Sequence, residues 1–166
     1  MRTCIFQLMI LMFLCTATSV YATECGTGLE DNEDGTITDS NTGLTWKQCL
    51  EGLSGNDCAT DAASTLSWTA ALALDDGTWR LPNIKELQSI ADYGSNEPAL
   101  NTTCFPTPAG TANIYVWSSS LYAGDTENTW VINFKDGLFW NLITQSTSSL
   151  VNVRLVCDGD SAACPP

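Results

Sequence analysis

The stretch TWRLPNIKELQSI, residues 78–90, holds an extended segment, a stop and the start of an amphipathic helix in consecutive letters. Trp79 and Leu81 project to the same side of the extended part. Pro82 lacks the N–H needed to continue a ladder, so the strand ends there. Asn83 followed three residues later by Glu86 is a capping box, which fixes a helix N-terminus at Asn83. Ile84, Leu87 and Ala91 then recur at near-helical spacing as a buried stripe, with Ile90 on its border. Lys85, Gln88 and Asp92 face water, and Gly94 ends the helix.

Upstream, Ser67 caps a second short helix with apolar positions Trp68, Ala71, Leu72 and Leu74, closed by the DDG of residues 75–77. Before it, β-prone runs at Thr36–Thr38 and Leu44–Lys47 flank DSNTG, a composition that favours a tight reversal. Residues 50–64, small and polar, read as a surface loop. Downstream, residues 95–114 are Pro-, Thr- and Asn-rich and irregular, pinned by Cys104. The last third carries four strand candidates, YVWSSSLY, NTWVINF, LFWNLI and VNVRLVC, with KDG at 135–137 as the strongest hairpin signal. Alternation places Trp130, Ile132 and Phe134 on one face of their strand, and Val153, Leu155 and Cys157 on one face of the last.

A chain of 166 residues buries one core comfortably and two only with difficulty. Residues 1–22 have the layout of a secretory signal peptide, one arginine before an apolar run and then small residues, with Val20 and Ala22 suiting cleavage before Thr23. The run from Ile5 to Leu14 falls short of the roughly 20 residues a membrane-spanning helix needs. Residues 23–166 are thus expected to be one exported domain without a transmembrane segment. The net charge is −13, and loss of Arg2 with the leader takes it to −14. Such a surface repels nucleic acid and anionic lipid unless its few cations converge.

Of eight cysteines, Cys4 and Cys15 lie in the leader. Cys25, Cys49, Cys58, Cys104, Cys157 and Cys164 form an even set suited to disulfides in an export context. Six cysteines permit fifteen pairings. The short separation favours Cys49 with Cys58, position near the chain ends favours Cys25 with Cys164, and Cys104 is left for Cys157. Zinc is disfavoured, because no C-x-x-C spacing and no histidine occur.

DNEDGTITDSNTGLTW (31–46), WRLPNIKELQSI (79–90), VWSSSLY (116–122), WVINFKDG (130–137) and VNVRLVC (151–157) occur in the order found in the Lcl C-terminal domain family, also designated DUF1566. The resemblance runs from about Leu29 to Cys157. That family looks related to the C-type lectin-like and formylglycine-generating-enzyme group. The resemblance implies an α+β fold: two helices on a small, twisted, mainly antiparallel sheet with long loops, stabilised here by disulfides. It makes residues 78–90 a framework joint, with Arg80 pairing to Glu86 or Asp92. It also implies a bacterial, secreted, periplasmic or cell-surface adhesion module with no catalytic residues, directed at a glycan or a cell-surface protein. The family adhesin's domain is associated with sulfated polysaccharides. Only Lys47, Arg80, Lys85, Lys135 and Arg154 remain here to meet sulfate, so a neutral glycan or a cationic protein surface is the better expectation.

Two further chemistries deserve comparison. Asp31, Asn32, Asp34 and Asp39 gather oxygen ligands around Gly35, which raises calcium as a candidate. With Gly35 at the sixth EF-hand position, however, Asn41 stands where a bidentate glutamate belongs. Catalysis is poorly supported: with no histidine there is no Ser-His-Asp or Cys-His arrangement. The rival that the resemblance offers, a formylglycine-generating-like oxidase, needs a reactive cysteine pair and copper; a purely structural envelope protein is the other. Binding needs less, and Trp117, Trp130, Trp140 and Asn141 lie where the loops of such a scaffold converge.

Overall fold

The computed structural model describes residues 22–107, 114–125, 127–143 and 149–166. The leader expected over residues 1–22 lies outside them except for Ala22. In chain order the elements are β1 (Thr23–Gly26), β2 (Leu29–Asp31), β3 (Thr36–Asp39), β4 (Leu44–Lys47), β5 (Leu53–Ser54), β6 (Thr60–Asp61) and β7 (Thr65–Leu66). Helices α1 (Trp68–Leu72) and α2 (Ile84–Ser89) come next. Strands β8 (Tyr115–Leu121), β9 (Asn128–Asn133), β10 (Leu138–Ile143), β11 (Val151–Asn152) and β12 (Val156–Asp158) complete them. The result is a disulfide-stabilised α+β fold, mostly sheet with two short helices.

The strands build two five-stranded sheets rather than the single small sheet expected. The first runs β1-β2-β3-β4-β12 and the second β10-β9-β8-β11-β7, while β5 and β6 form a separate two-stranded hairpin within the expected 50–64 loop. All pairs are antiparallel except β11 with β8. The reason for two sheets lies in VNVRLVC. It is not one strand: Val151 and Asn152 pair with β7, and Asn152 also with β8, whereas Val156–Asp158 pair with β4. Between them the carbonyl of Val153 accepts from Glu51 N at 2.8 Å and that of Leu155 from Lys47 N at 3.0 Å, so the chain stays bonded while it changes sheet.

Residues 80–84 make the matching connection from the other side. Arg80 exchanges both backbone hydrogen bonds with Val156, at 2.9 and 3.0 Å, and so extends the first sheet beyond β12. Pro82 then frees the chain from that ladder. Its carbonyl accepts from Ser119 N at 2.8 Å, and Ile84 N donates to Ser120 Oγ at 3.0 Å, so both contacts land on β8 of the second sheet. The Arg80 guanidinium locks the joint, donating to both carboxylate oxygens of Glu86 at 2.9 Å and to both of Asp158. Asp158 takes the place expected for Asp92; its hydrogen bonds from Arg80 hold its carboxyl below the usual range. Asp92 instead accepts from Ser95 Oγ and Gly94 N, which likewise lowers its pKa.

The capping box forms as read: Asn83 Oδ1 accepts from Lys85 N and Glu86 N, and Glu86 Oε2 accepts from Asn83 N at 2.7 Å. Helix α2 nevertheless ends with Ile90 as its C-cap, short of Gly94, because Ala91 pairs with Leu100 in an isolated bridge that extends the backbone. Ile90, expected on the border, is buried, and Ala91 is only partly so. Asn83→Ala is expected to cost about 1 kcal/mol, read as a lower urea midpoint with unchanged slope.

Two apolar clusters lie on opposite faces of the second sheet. Val116 and Ile132 join one, with Ile37 and Trp46 from the first sheet and Leu87 from α2. Trp117 and Val131 join the other, with Trp79, Leu81, Ala71 and Val153. Strand β9 is therefore covered on both sides, and of the row Trp130, Ile132 and Phe134 the last two are buried while Trp130 is half-buried.

The bridges are Cys25–Cys104, Cys49–Cys58 and Cys157–Cys164. Cys49–Cys58 is the pairing read from the sequence. The other two correct it: Cys104 is drawn to β1 because Asn101 Nδ2 donates to the Cys25 carbonyl at 3.0 Å, which seats residues 101–104 on that strand. Cys164 turns back on β12, where Trp79 Nε1 donates to the Pro165 carbonyl at 2.9 Å.

Candidate functional site

Strand β10 is one of the two edge strands of the second sheet, and its sequence LFWNLI contains no charge to keep it solvated. Leu138, Phe139 and Trp140 are 52, 42 and 51% exposed, so three of the six exposed large hydrophobic side chains among the described residues stand in succession. Register sets their directions: Trp140 lies opposite Val131 and Phe139 opposite Ile132, so the two rings leave the sheet on opposite sides. On the Phe139 side a chain of edge-to-face contacts runs from Tyr122 to Trp130 (centroids 5.2 Å apart) and on to Phe139 (6.3 Å). On the Trp140 side a groove of about 500 Å³ opens, lined by Trp140, Asn141, Tyr115, Leu150, Asn152 and Thr65. Asn152 Nδ2 donates to the Tyr115 carbonyl at 3.0 Å, which orients the amide at its rim.

The four residues singled out for ligand contact therefore separate. Trp140 and Asn141 line the groove. Trp130 belongs to the aromatic row on the reverse face. Trp117 is a correction: it has no exposure, and its Nε1 donates to the Leu66 carbonyl at 2.7 Å, so it fills the core and holds β7 in place. Leu138, Phe139, Tyr122 and Leu150 join these exposed faces without being singled out by the sequence. The signal available for those on β10 was LFWNLI after the KDG turn, apolar except for Asn141 and without the alternation of a half-buried strand.

The acid-rich turn is occupied by its own chain. Asp31 accepts from Glu33 N and Gln48 Nε2, Asp34 from Thr36 N and Oγ1, and Asp39 from Asn41 N and Thr42 Oγ1. Asn32 Nδ2 donates to Thr36 and Thr38. These bonds make the β2–β3 and β3–β4 reversals. Among the described residues no group of three or more His, Cys, Asp or Glu is placed to hold a metal ion.

Of the five cations, Arg154 is buried and Arg80 faces two carboxylates. Lys47 sits 4.2 Å over the Trp79 ring, and Lys135 pairs with Glu97 at 3.4 Å. The cleft beside Arg80, about 390 Å³ and lined by Asp75 and Asp158, is thus an acidic surface rather than an anion site. No helix of the described residues is long and apolar enough to cross a membrane. Six bridged cysteines fit an oxidising, extracytoplasmic setting.

Comparison with curated proteins gives no match, nor does comparison with solved structures. The family comparison does: the Lcl C-terminal domain model matches residues 35–157, from the start of β3 into β12, so the joint, the whole second sheet with β10, and β3 and β4 of the first sheet fall inside it, while β1 and β2 precede it. With well over half of its length matched, and the five segments of the resemblance set in one framework, the chain belongs to the Lcl C-terminal domain family.

Proposed function

We propose that this protein is an exported, non-catalytic recognition module, released by cleavage of the leader over residues 1–22, whose single domain presents β10 and the neighbouring groove to a glycan or surface protein. The observation that carries the reading is the exposed Trp140 beside Asn141 at a groove walled by Tyr115 and Leu150. Flat aromatic faces with a few fixed amides suit ligands that combine apolar patches with hydroxyl or amide groups. A lectin-like use of the scaffold belongs to this reading. The ligand is neutral or cationic, since the available cations are each engaged or isolated while the surface carries an excess of carboxylates. The bridged cysteines support a binding role over an oxidase, which would need a free thiol pair. No cofactor is assigned.

A glycan and surface-protein array, probed with and without calcium at two salt concentrations, tests it. Trp140→Ala is expected to weaken the captured ligand at least tenfold without shifting Tm by more than about 2 °C, because the ring is half exposed. Undiminished binding by that variant would remove the site.

A further inference from the structure

We propose that the outer edge of β10 takes up an extended polypeptide segment with basic flanks, which adds a sixth strand to the second sheet; this rests on the recognition reading above and names its partner. Folded proteins ordinarily blunt a sheet edge with charge, proline, a bulge or brevity. Here Leu138–Ile143 runs six residues in regular register with β9, without charge or proline, and among the described residues no strand covers its outer side. The main-chain groups on that side, which pair with no other strand among the described residues, supply the ladder, and alternate side chains of the guest fall toward the groove beside Trp140 or toward Phe139.

Charge selects the guest. Exposed Asp136 stands two residues before the strand, and exposed Asp125 and Glu127 lie at its far end, since Ile143 pairs with Asn128. The nearest cation, Lys135, already faces Glu97. A second copy of this chain is repelled in either direction: antiparallel pairing sets Asp136 against Asp125 and Glu127, and parallel pairing sets each acid against itself. A strand carrying Lys or Arg at both ends meets opposite charge at both ends.

The probe is a synthetic peptide of alternating valine and threonine with two lysines at each end, titrated into the full mature chain by calorimetry. Saturable binding is expected, weakened at least tenfold by N-methylation of alternate peptide amides, by exchange of the lysines for glutamates, or by Trp140→Lys. The double variant Asp125→Asn, Asp136→Asn should flatten the salt dependence. Equal binding of the N-methylated peptide would overturn strand addition, and equal binding of the glutamate peptide would overturn the charge selection. A wild-type chain that dimerises through β10 and ignores the peptide would overturn the proposal as well. Array binding lost in Trp140→Ala while the peptide fails to bind would sink strand addition and leave the recognition reading standing.

Discussion

Replacing Cys25 and Cys104 together by alanine is expected to lower the unfolding free energy by about 4 kcal/mol, the largest effect of any single bridge. The two residues are 79 positions apart, against 9 for Cys49–Cys58 and 7 for Cys157–Cys164. Loop-closure entropy grows with the logarithm of that separation, so the shorter bridges contribute about 2.5 kcal/mol each. Packing acts in the same direction, because Cys104 is fully buried within the cluster that contains Phe105, Leu87 and Trp46. Calorimetry should show the loss as a fall in Tm of about 10 °C or more. Equal shifts for all three double variants would mean that the bridges act on local structure and leave the unfolded chain's freedom unchanged.

Arg154→Ala is expected to cost about 3–5 kcal/mol, because the guanidinium is a structural centre. It is completely buried at the point where the last segment passes from one sheet to the other. Its Nη1 donates to the carbonyls of Lys47, the last residue of β4, and of Gln48 just beyond it, and its charge lies 4.8 Å over the Phe105 ring. Burial pushes its pKa down to about 9, which leaves it charged at neutral pH. Its Nε has no partner among the described residues, so the site is held at a cost in solvation. Truncation opens a cavity and orphans two carbonyls; Arg154→Met restores volume alone and should recover part of the loss. Chemical denaturation of both variants separates packing from hydrogen bonding. A Met variant as stable as the wild type would show that the carbonyl contacts contribute little.

What the letters disclosed follows from range. The Pro82–Asn83–Glu86 joint, the Ser67 cap, the β3–β4 reversal around Asp39 and the Cys49–Cys58 bridge are each decided within a few residues. Cys25–Cys104, the Arg80–Asp158 contact and the division of VNVRLVC between two sheets depend on which distant segment arrives, and local pattern does not carry that. The tryptophans show the same limit. Trp117 and Trp140 sit in similar apolar strands and lie in one cross-strand row through Val131, yet the first is sealed under Trp79 and Leu81 while the second stands at an open edge. Sheet order separates core from surface here, and composition does not.

The proposed recognition role rests on a platform whose six described cysteines are all bridged. Thiol titration of the natively purified mature chain, unfolded in denaturant without reductant, tests this directly. The prediction is no free thiol among the six cysteines from Cys25 to Cys164, with all six appearing after reduction. Two reactive thiols before reduction would contradict it and favour an oxidase.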